Sequence, residues 1–306
     1  MHPLATRHCM DFVFWLRDKL SPLLPPDFRN LLLTRIEMVN QVMQDILPAD
    51  NMTLEEVVHV FKLEYDKDPS IWVLPSEDMC MIPHCLSTLL SDLDFVSSGR
   101  KSEGLVRCRL NLILFTCLAA EERYCNAVLA DPSIAPPNAE ILSRQTSPTP
   151  SMASWNSSGP ERVRLSVETA FSNAVDYNRR ARLLYGTADF SLWYGSVEES
   201  ATNLVVVAVS GESTARQGEG KCLALMSIVH LRRKEDGRKN ATVYGVCSDG
   251  VEFYFLRLDN DSKVSRIGTG LDWNWGKASD ILSHIRNIMR LALEATPTST
   301  PTRPGY

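Results

Sequence analysis

The stretch NLVVVAVSGE, residues 203–212, is the part of the sequence that decides the fold. Four consecutive β-forming residues, Leu204 to Val207, run into a small, polar end that contains a glycine. A short apolar run bounded by turn residues predicts a strand buried on both faces. At its end, Ala208 and Ser210 are two residues apart and therefore face the same side of the sheet. Neither carries a carboxylate or an amine, so the strand is either ordinary core or a catalytic strand that has lost its chemistry.

The segments around this strand change from helical to extended patterns along the chain. Apolar residues recur at three- and four-residue spacings in the first part and form alternating or continuous runs later. Helices are predicted over 9–21, 27–47, 52–65, 100–125, 218–235 and 277–294, and strands over 162–171, 182–195 (with a break), 204–209 and within the hairpin 241–259. Strands interleaved with helices predict an α/β (α+β) fold, with a central mixed sheet flanked by helices.

The same patterns suggest how the 306 residues are divided. Residues 1–97 are predicted to form a small N-terminal helical region, and residues 98–294 the domain that contains the sheet. Residues 131–160, rich in proline, serine and threonine, predict a disordered insertion in that domain. The low-complexity end, 295–306, predicts a disordered tail.

Composition and charge narrow the classes of function. The net charge is −5 and the pI about 5.7, which argues against non-specific wrapping of nucleic acid as the main activity. The beginning of the chain lacks the basic and apolar regions of a secretory signal. No apolar run approaches the roughly 20 residues of a membrane span. We therefore expect an intracellular protein, cytoplasmic or nuclear, that does not insert into a membrane.

Five segments, taken in order, resemble the PD-(D/E)XK nuclease-like superfamily, and most closely its branch common among uncharacterised fungal proteins. They are SEGLVRCRLNLIL (102–114), GTADFSLWYG (186–195), NLVVVAVSG (203–211), GEGKCLALMSIVHLRRK (218–234) and TVYGVCSDGVEFYFLRLD (242–259). The resemblance covers roughly residues 100–294. It implies a restriction-endonuclease-like sheet and, in active members, hydrolysis of phosphodiesters by Mg²⁺ held on carboxylates.

The resemblance assigns site positions one by one. Asp189 matches the family aspartate, which is a metal ligand, and Glu103 matches the acid of the first helix. Ala208 stands at the glutamate position of the E-x-K strand, and Ser210 at the lysine position. Both acids also have structural explanations, since a carboxylate in the first turn of a helix is favourable and an aspartate after Gly-Thr-Ala can form a turn.

Three nearby residues are candidates to replace the missing groups. Glu212 follows the strand, and Glu219 and Lys221 open the next helix. Each also has an ordinary explanation, as a helix-start carboxylate or a solvated side chain. Two readings therefore remain open: Mg²⁺ chemistry with relocated residues, or loss of that chemistry with no cofactor.

A second group of residues suggests a binding face. The basic residues at the end of the helix 218–235 and just beyond it are Arg232, Arg233, Lys234, Arg238 and Lys239. They predict either a phosphate-binding face for DNA or RNA or a solvated helix end, where cations are favourable in any case.

The sequence thus leaves three functions to compare. The first is a catalytically degenerate nuclease-like module that binds nucleic acid or protein. The second is a Mg²⁺-dependent nuclease with relocated residues. The third is a protein–protein adaptor that holds a partner through residues 1–97 and binds no nucleic acid.

Overall fold

The sheet takes strands from both the first and the later part of the chain. The structure, a computed structural model, describes residues 46–98, 102–130, 164–193, 202–209 and 214–294, with short pieces at 24–25, 28–29 and 31–34. The strands are β1 (Ile46–Pro48), β2 (Glu64–Tyr65), β3 (Arg164–Tyr177), β4 (Arg180–Trp193), β5 (Thr202–Ala208), β6 (Val243–Ser248), β7 (Glu252–Leu258), β8 (Lys263–Arg266) and β9 (Leu271–Asp272). Within the described ranges from residue 46 onward, the α-helices are α1 (Leu54–Val60), α2 (His84–Ser97), α3 (Glu103–Ala130), α4 (Glu219–Glu235) and α5 (Ala278–Glu294).

These strands form one nine-stranded mixed sheet in the order β1-β4-β5-β6-β7-β8-β2, with β3 paired to β4 and β9 paired to β7. Strand β5 runs antiparallel to β4 and parallel to β6, and α4 lies between β5 and β6 in the chain. A parallel pair needs a crossover of this kind. Helices lie on both sides of the sheet, and the predicted α/β class is confirmed.

Strand β5 is the centre of the core, as its apolar run predicts. Val205 and Val207 face one apolar cluster, which α1 and α4 complete. Leu204 and Val206 face a second cluster, which α2, α3 and α5 complete. All four side chains are at most 2% exposed. A strand that packs against a helical layer on each face cannot alternate polar and apolar residues, which explains the continuous valine run.

The segment 182–195 was predicted with a break, and that prediction is wrong. Strand β4 continues through Gly186 because β3 pairs with it almost along its whole length. Asn178 and Arg179 make the turn between them, and both have positive φ. Two-residue hairpin turns of this kind match the twist of the strands. The long hairpin overrides the local signal of the glycine.

The helices predicted within the N-terminal helical region, residues 1–97, need correction at two places. Residues 46–48, assigned in part to the helix 27–47, form β1 and pair in parallel with Leu183, Leu184 and Tyr185 of β4. Residues 64–65, assigned to the helix 52–65, form β2 and pair with β8. Helix α1 begins with a capping box formed by Thr53 and Glu56 but ends at Val60. Strand pairing with distant residues, which no local pattern reveals, explains both changes.

Several predicted segments lie outside the described residues. They are the helix 9–21, most of the segment 27–47, the insertion 131–160 and the tail 295–306. The boundary between residues 97 and 98 stays a prediction. Among the helices in the described ranges, none has the length and apolarity needed to cross a membrane.

Candidate functional site

Three carboxylates converge on one arginine where α3 crosses the β3–β4 hairpin. Arg107 lies within 2.7 Å of Asp189 Oδ1 through Nη2, and its Nε donates to the same oxygen at 3.0 Å. Nη1 donates to Glu168 Oε1 at 2.9 Å, and Nη2 lies 3.1 Å from Glu103 Oε1. The two acids that the resemblance singles out, Glu103 and Asp189, therefore do meet, and a guanidinium lies between them.

Local structure explains how each group reaches this point. Glu103 and Arg107 are four residues apart on α3 and so share one helix face. Glu168 lies between Val167 and Thr169, which pair with Phe190 and Ala188 on either side of Asp189. Glu168 itself has a φ of 55°. A non-glycine residue in this left-handed region is uncommon and is held there by its surroundings.

Asp189 already has a partner on each carboxylate oxygen. Its Oδ1 accepts from Arg107, and its Oδ2 accepts from the backbone N–H of Ala208 at 2.9 Å. Asp189 is only 7% exposed, and its two partners replace the hydrogen bonds to water that a carboxylate loses on burial. Asp189 thus joins the end of β5 to α3.

The guanidinium of Arg107 remains charged in this setting. Partial burial acts to lower its pKa, but the charge of Asp189 and the hydrogen bond to it act in the opposite direction. The charge of Glu103 and the hydrogen bond to Glu168 add to this, and the pKa of Arg107 is raised above its ordinary value. The cluster therefore contains a permanent monovalent cation that is part of the chain.

The residues proposed as replacements have other partners. Glu219 Oε2 lies 3.3 Å from Arg266 Nη1 and 3.9 Å from Arg216 Nε. Lys221 Nζ lies 2.8 Å from Asp50 Oδ1. Both residues line a cavity at the end of β5 that Asp189 does not line. Glu212 and Ser210 lie outside the described residues.

Two glycines fix Glu219 at the start of α4. A Cβ atom at Gly218 would lie 2.7 Å from Val209 Cγ2, and one at Gly220 would lie 2.0 Å from the carbonyl oxygen of Met52. Only glycine permits such approaches. Gly218 and Gly220 thus allow the first turn of α4 to pack closely between β5 and the segment before α1, and this packing leaves Glu219 only 4% exposed. Burial raises the pKa of Glu219, and the charges of Arg266 and Arg216 offset this only in part.

The basic residues predicted to bind phosphate do not form one exposed face. Arg233 is fully buried and donates to the carbonyls of Thr202, at 2.7 Å, and Thr242. Arg232 donates to the carbonyl of Ser172. The three remaining positions differ: Lys234 donates to Ser262 Oγ at 3.0 Å, Arg238 lies 3.9 Å from Asp236, and Lys239 is exposed. Arg232 and Arg233 therefore join α4 to β3 and β5.

Arg107 and Glu168 were not among the site residues predicted from the sequence. One signal for Arg107 was present, since Glu103 and Arg107 have the spacing of a helical ion pair. The contact of Arg107 with Asp189 spans 82 positions and has no local signal.

Magnesium does not fit this cluster. Mg²⁺ takes hard oxygen ligands in near-octahedral geometry, and here the point between the acids is filled by Arg107. Ala208 contributes only its backbone to the cluster. Within the described part of the chain, no group of three or more His, Cys, Asp or Glu side chains is arranged to hold a metal ion. In comparisons with known proteins, no family model matches the chain, and no curated protein matches it.

Proposed function

We propose that this protein is a catalytically degenerate member of the PD-(D/E)XK nuclease-like superfamily that acts as a binding module. The observation that carries the proposal is the guanidinium of Arg107, which lies between Glu103, Glu168 and Asp189. The order α3, β3, β4, β5, α4, β6 supports the resemblance from which the site positions were assigned.

The electrostatics of the cluster support loss of metal chemistry. A catalytic metal must offer open positions to water and to a phosphate oxygen. Arg107 has no such positions and cannot lower the pKa of a bound water as a metal does. The second carboxylate of the family pattern is replaced by Ala208, so displacing Arg107 would still leave an incomplete set of ligands.

A cleavage assay tests this proposal directly. Wild-type protein is incubated with single- and double-stranded DNA and RNA in Mg²⁺ or Mn²⁺, beside the Asp189→Ala variant. We expect both proteins to match the buffer blank, and calorimetry to show no metal binding. Metal-dependent cleavage by the wild type that Asp189→Ala abolishes would overturn the proposal and favour the nuclease with relocated residues.

Exposed apolar side chains favour a protein as the partner. On α2, within the region 1–97, Leu89, Phe95 and Val96 are 48%, 85% and 80% exposed. Exposed apolar groups are typical of protein interaction sites, whereas a nucleic-acid face needs free cations. Arg233 is not free, because it is buried against backbone carbonyls. This supports the adaptor function as the second candidate.

A salt titration separates nucleic acid from protein as the partner. Binding of labelled single- and double-stranded DNA and RNA is measured by fluorescence anisotropy at several salt concentrations. We expect weak binding throughout. Tight binding whose affinity falls steeply with salt would contradict a protein partner and support a nucleic-acid module.

A further inference from the structure

One feature of the described residues that the acid cluster does not explain is a cavity of about 690 Å³ at the end of β5. It lies between the first turn of α4 and the segment that leads into α1. Its volume falls within the range of roughly 300–1,000 Å³ that is usual for small-ligand sites. Asp189 and Arg107 do not line it, but Ala208, whose backbone N–H donates to Asp189, does, so the cavity adjoins the acid cluster described above.

The charges that line this cavity are balanced. The acidic lining residues are Asp50, Glu55 and Glu219, and the basic ones are Arg216, Lys221 and Arg266. Lys221 and Asp50 neutralise each other at 2.8 Å. The balance disfavours a ligand of high net charge, such as a phosphate ester, and favours a ligand that carries one charge of each sign.

Glu219, which lines the cavity, has a carboxylate oxygen without a hydrogen-bond partner. The residue is 4% exposed, and its Oε1 is buried without any hydrogen-bond partner. A buried carboxylate oxygen without a partner is unfavourable, because it has lost its water and gained nothing in exchange. The missing group is a hydrogen-bond donor, and a cationic donor would satisfy the carboxylate best.

The two arginines beside Glu219 make only long contacts with its carboxylate. Their distances to Oε2 are 3.3 Å for Arg266 and 3.9 Å for Arg216, whereas charge-assisted hydrogen bonds are typically about 2.7–2.9 Å. The side chain of Arg216 is 64% exposed. The N–H donors in the plane of each guanidinium match the two oxygens of a carboxylate.

We propose that this cavity is a binding site for a free amino acid. The ammonium group of the ligand donates to the carboxylate of Glu219, and the carboxylate of the ligand accepts from Arg216 and Arg266. Met52, Leu54 and Val207 supply apolar lining for the ligand side chain. Glu103, Arg107, Glu168 and Asp189 take no part in this site, although Ala208, whose backbone N–H donates to Asp189, lines the cavity.

Calorimetric titration of the full chain with each common L-amino acid tests the site. The matched probes for the best ligand are the acid that lacks its amino group and the amine that lacks its carboxylate, with a mononucleotide as the phosphate probe. We expect one or a few amino acids to bind, and each matched probe to bind at least about tenfold more weakly, because each loses one charge-assisted contact.

Variants identify the residues that bind. Glu219→Gln keeps the size of the side chain and removes its charge, and should weaken binding about tenfold. Arg216→Gln, at an exposed position, should also weaken binding and gives the test if Glu219→Gln fails to fold. Glu235→Gln removes the same charge at the exposed far end of α4 and should leave affinity unchanged. Absence of binding, equal binding of the deaminated acid, preference for the mononucleotide, or affinity unaffected by the variants would each overturn the proposal.

Discussion

Replacing Arg107 by methionine should destabilise the protein strongly, because it leaves three carboxylates facing one another. The dominant loss is at Asp189, whose side chain is 8% exposed. Removing one partner of a fully buried ion pair costs about 3–5 kcal/mol. Arg107 is 30% exposed, which places the expected value near the lower end of that range. Glu103 and Glu168 are 54% and 62% exposed, and contacts at that exposure contribute at most about 1 kcal/mol each.

We therefore expect Arg107→Met to lower the free energy of unfolding in urea by about 3 kcal/mol. Adding Asp189→Asn should recover about 1–2 kcal/mol, because the amide keeps an acceptor for Ala208 N–H and removes the uncompensated charge. Arg123→Met, at an exposed position of the same helix, is the control and should change stability by less than about 0.5 kcal/mol. A cost below about 1 kcal/mol for Arg107→Met, or strictly additive effects in the double variant, would refute this account of the cluster.

Three further predictions follow from the packing around α4. Gly220→Ala should lower the free energy of thermal unfolding by more than about 3 kcal/mol, because its Cβ would lie 2.0 Å from the Met52 carbonyl oxygen. The control is Gly104→Ala, which has no atom within 4 Å of its Cβ and should stabilise the protein by up to about 1 kcal/mol. Equal changes in stability for the two variants would argue against the close approach at Gly220. Arg233→Met should cost about 3 kcal/mol in urea unfolding, since it leaves two strand-end carbonyls without their charged donor, and a change below about 1 kcal/mol would contradict that role. Burial raises the pKa of Glu219 above 4.5, so its folded form binds a proton more readily than its unfolded form. The wild type should therefore lose stability as the pH rises through that raised pKa, and Glu219→Gln should lose less over the same range; parallel pH profiles of unfolding would show that Glu219 makes no such contribution.

The sequence was most informative where a residue's neighbours in the chain decide its structure. The run Leu204–Val207 predicted a strand buried on two faces, and β5 has one cluster on each side. The helix predicted over 218–235 begins at Glu219 and ends at Glu235. Strand β1 was not predicted, because a run of three residues is too short to show periodicity. Its extended conformation depends on its pairing with Leu183–Tyr185.

At the candidate site too, the sequence indicated individual residues but not the contacts between residues that are distant in the chain. The resemblance pointed to Glu103 and Asp189, and the structure brings both to one point. It could not reveal that Arg107 fills that point, since the contact depends on how α3 crosses the sheet. Glu219 was noted for its place after β5, but its unpartnered oxygen depends on Gly218 and Gly220 and on a carbonyl from a distant segment.

A guanidinium and a divalent metal meet the same electrostatic need in different ways. Carboxylates brought close together in a fold repel one another, so the acid cluster requires a cation among them. A metal ion supplies that charge and also activates water. Arg107 supplies the charge alone, is bound covalently, and cannot exchange. In the proposed module, the acids of the family pattern therefore remain for stability, as Asp189 does when it joins α3 to the end of β5. Binding must then depend on other surfaces, among which the described residues include the exposed apolar side chains of α2 and the charged cavity beside Glu219.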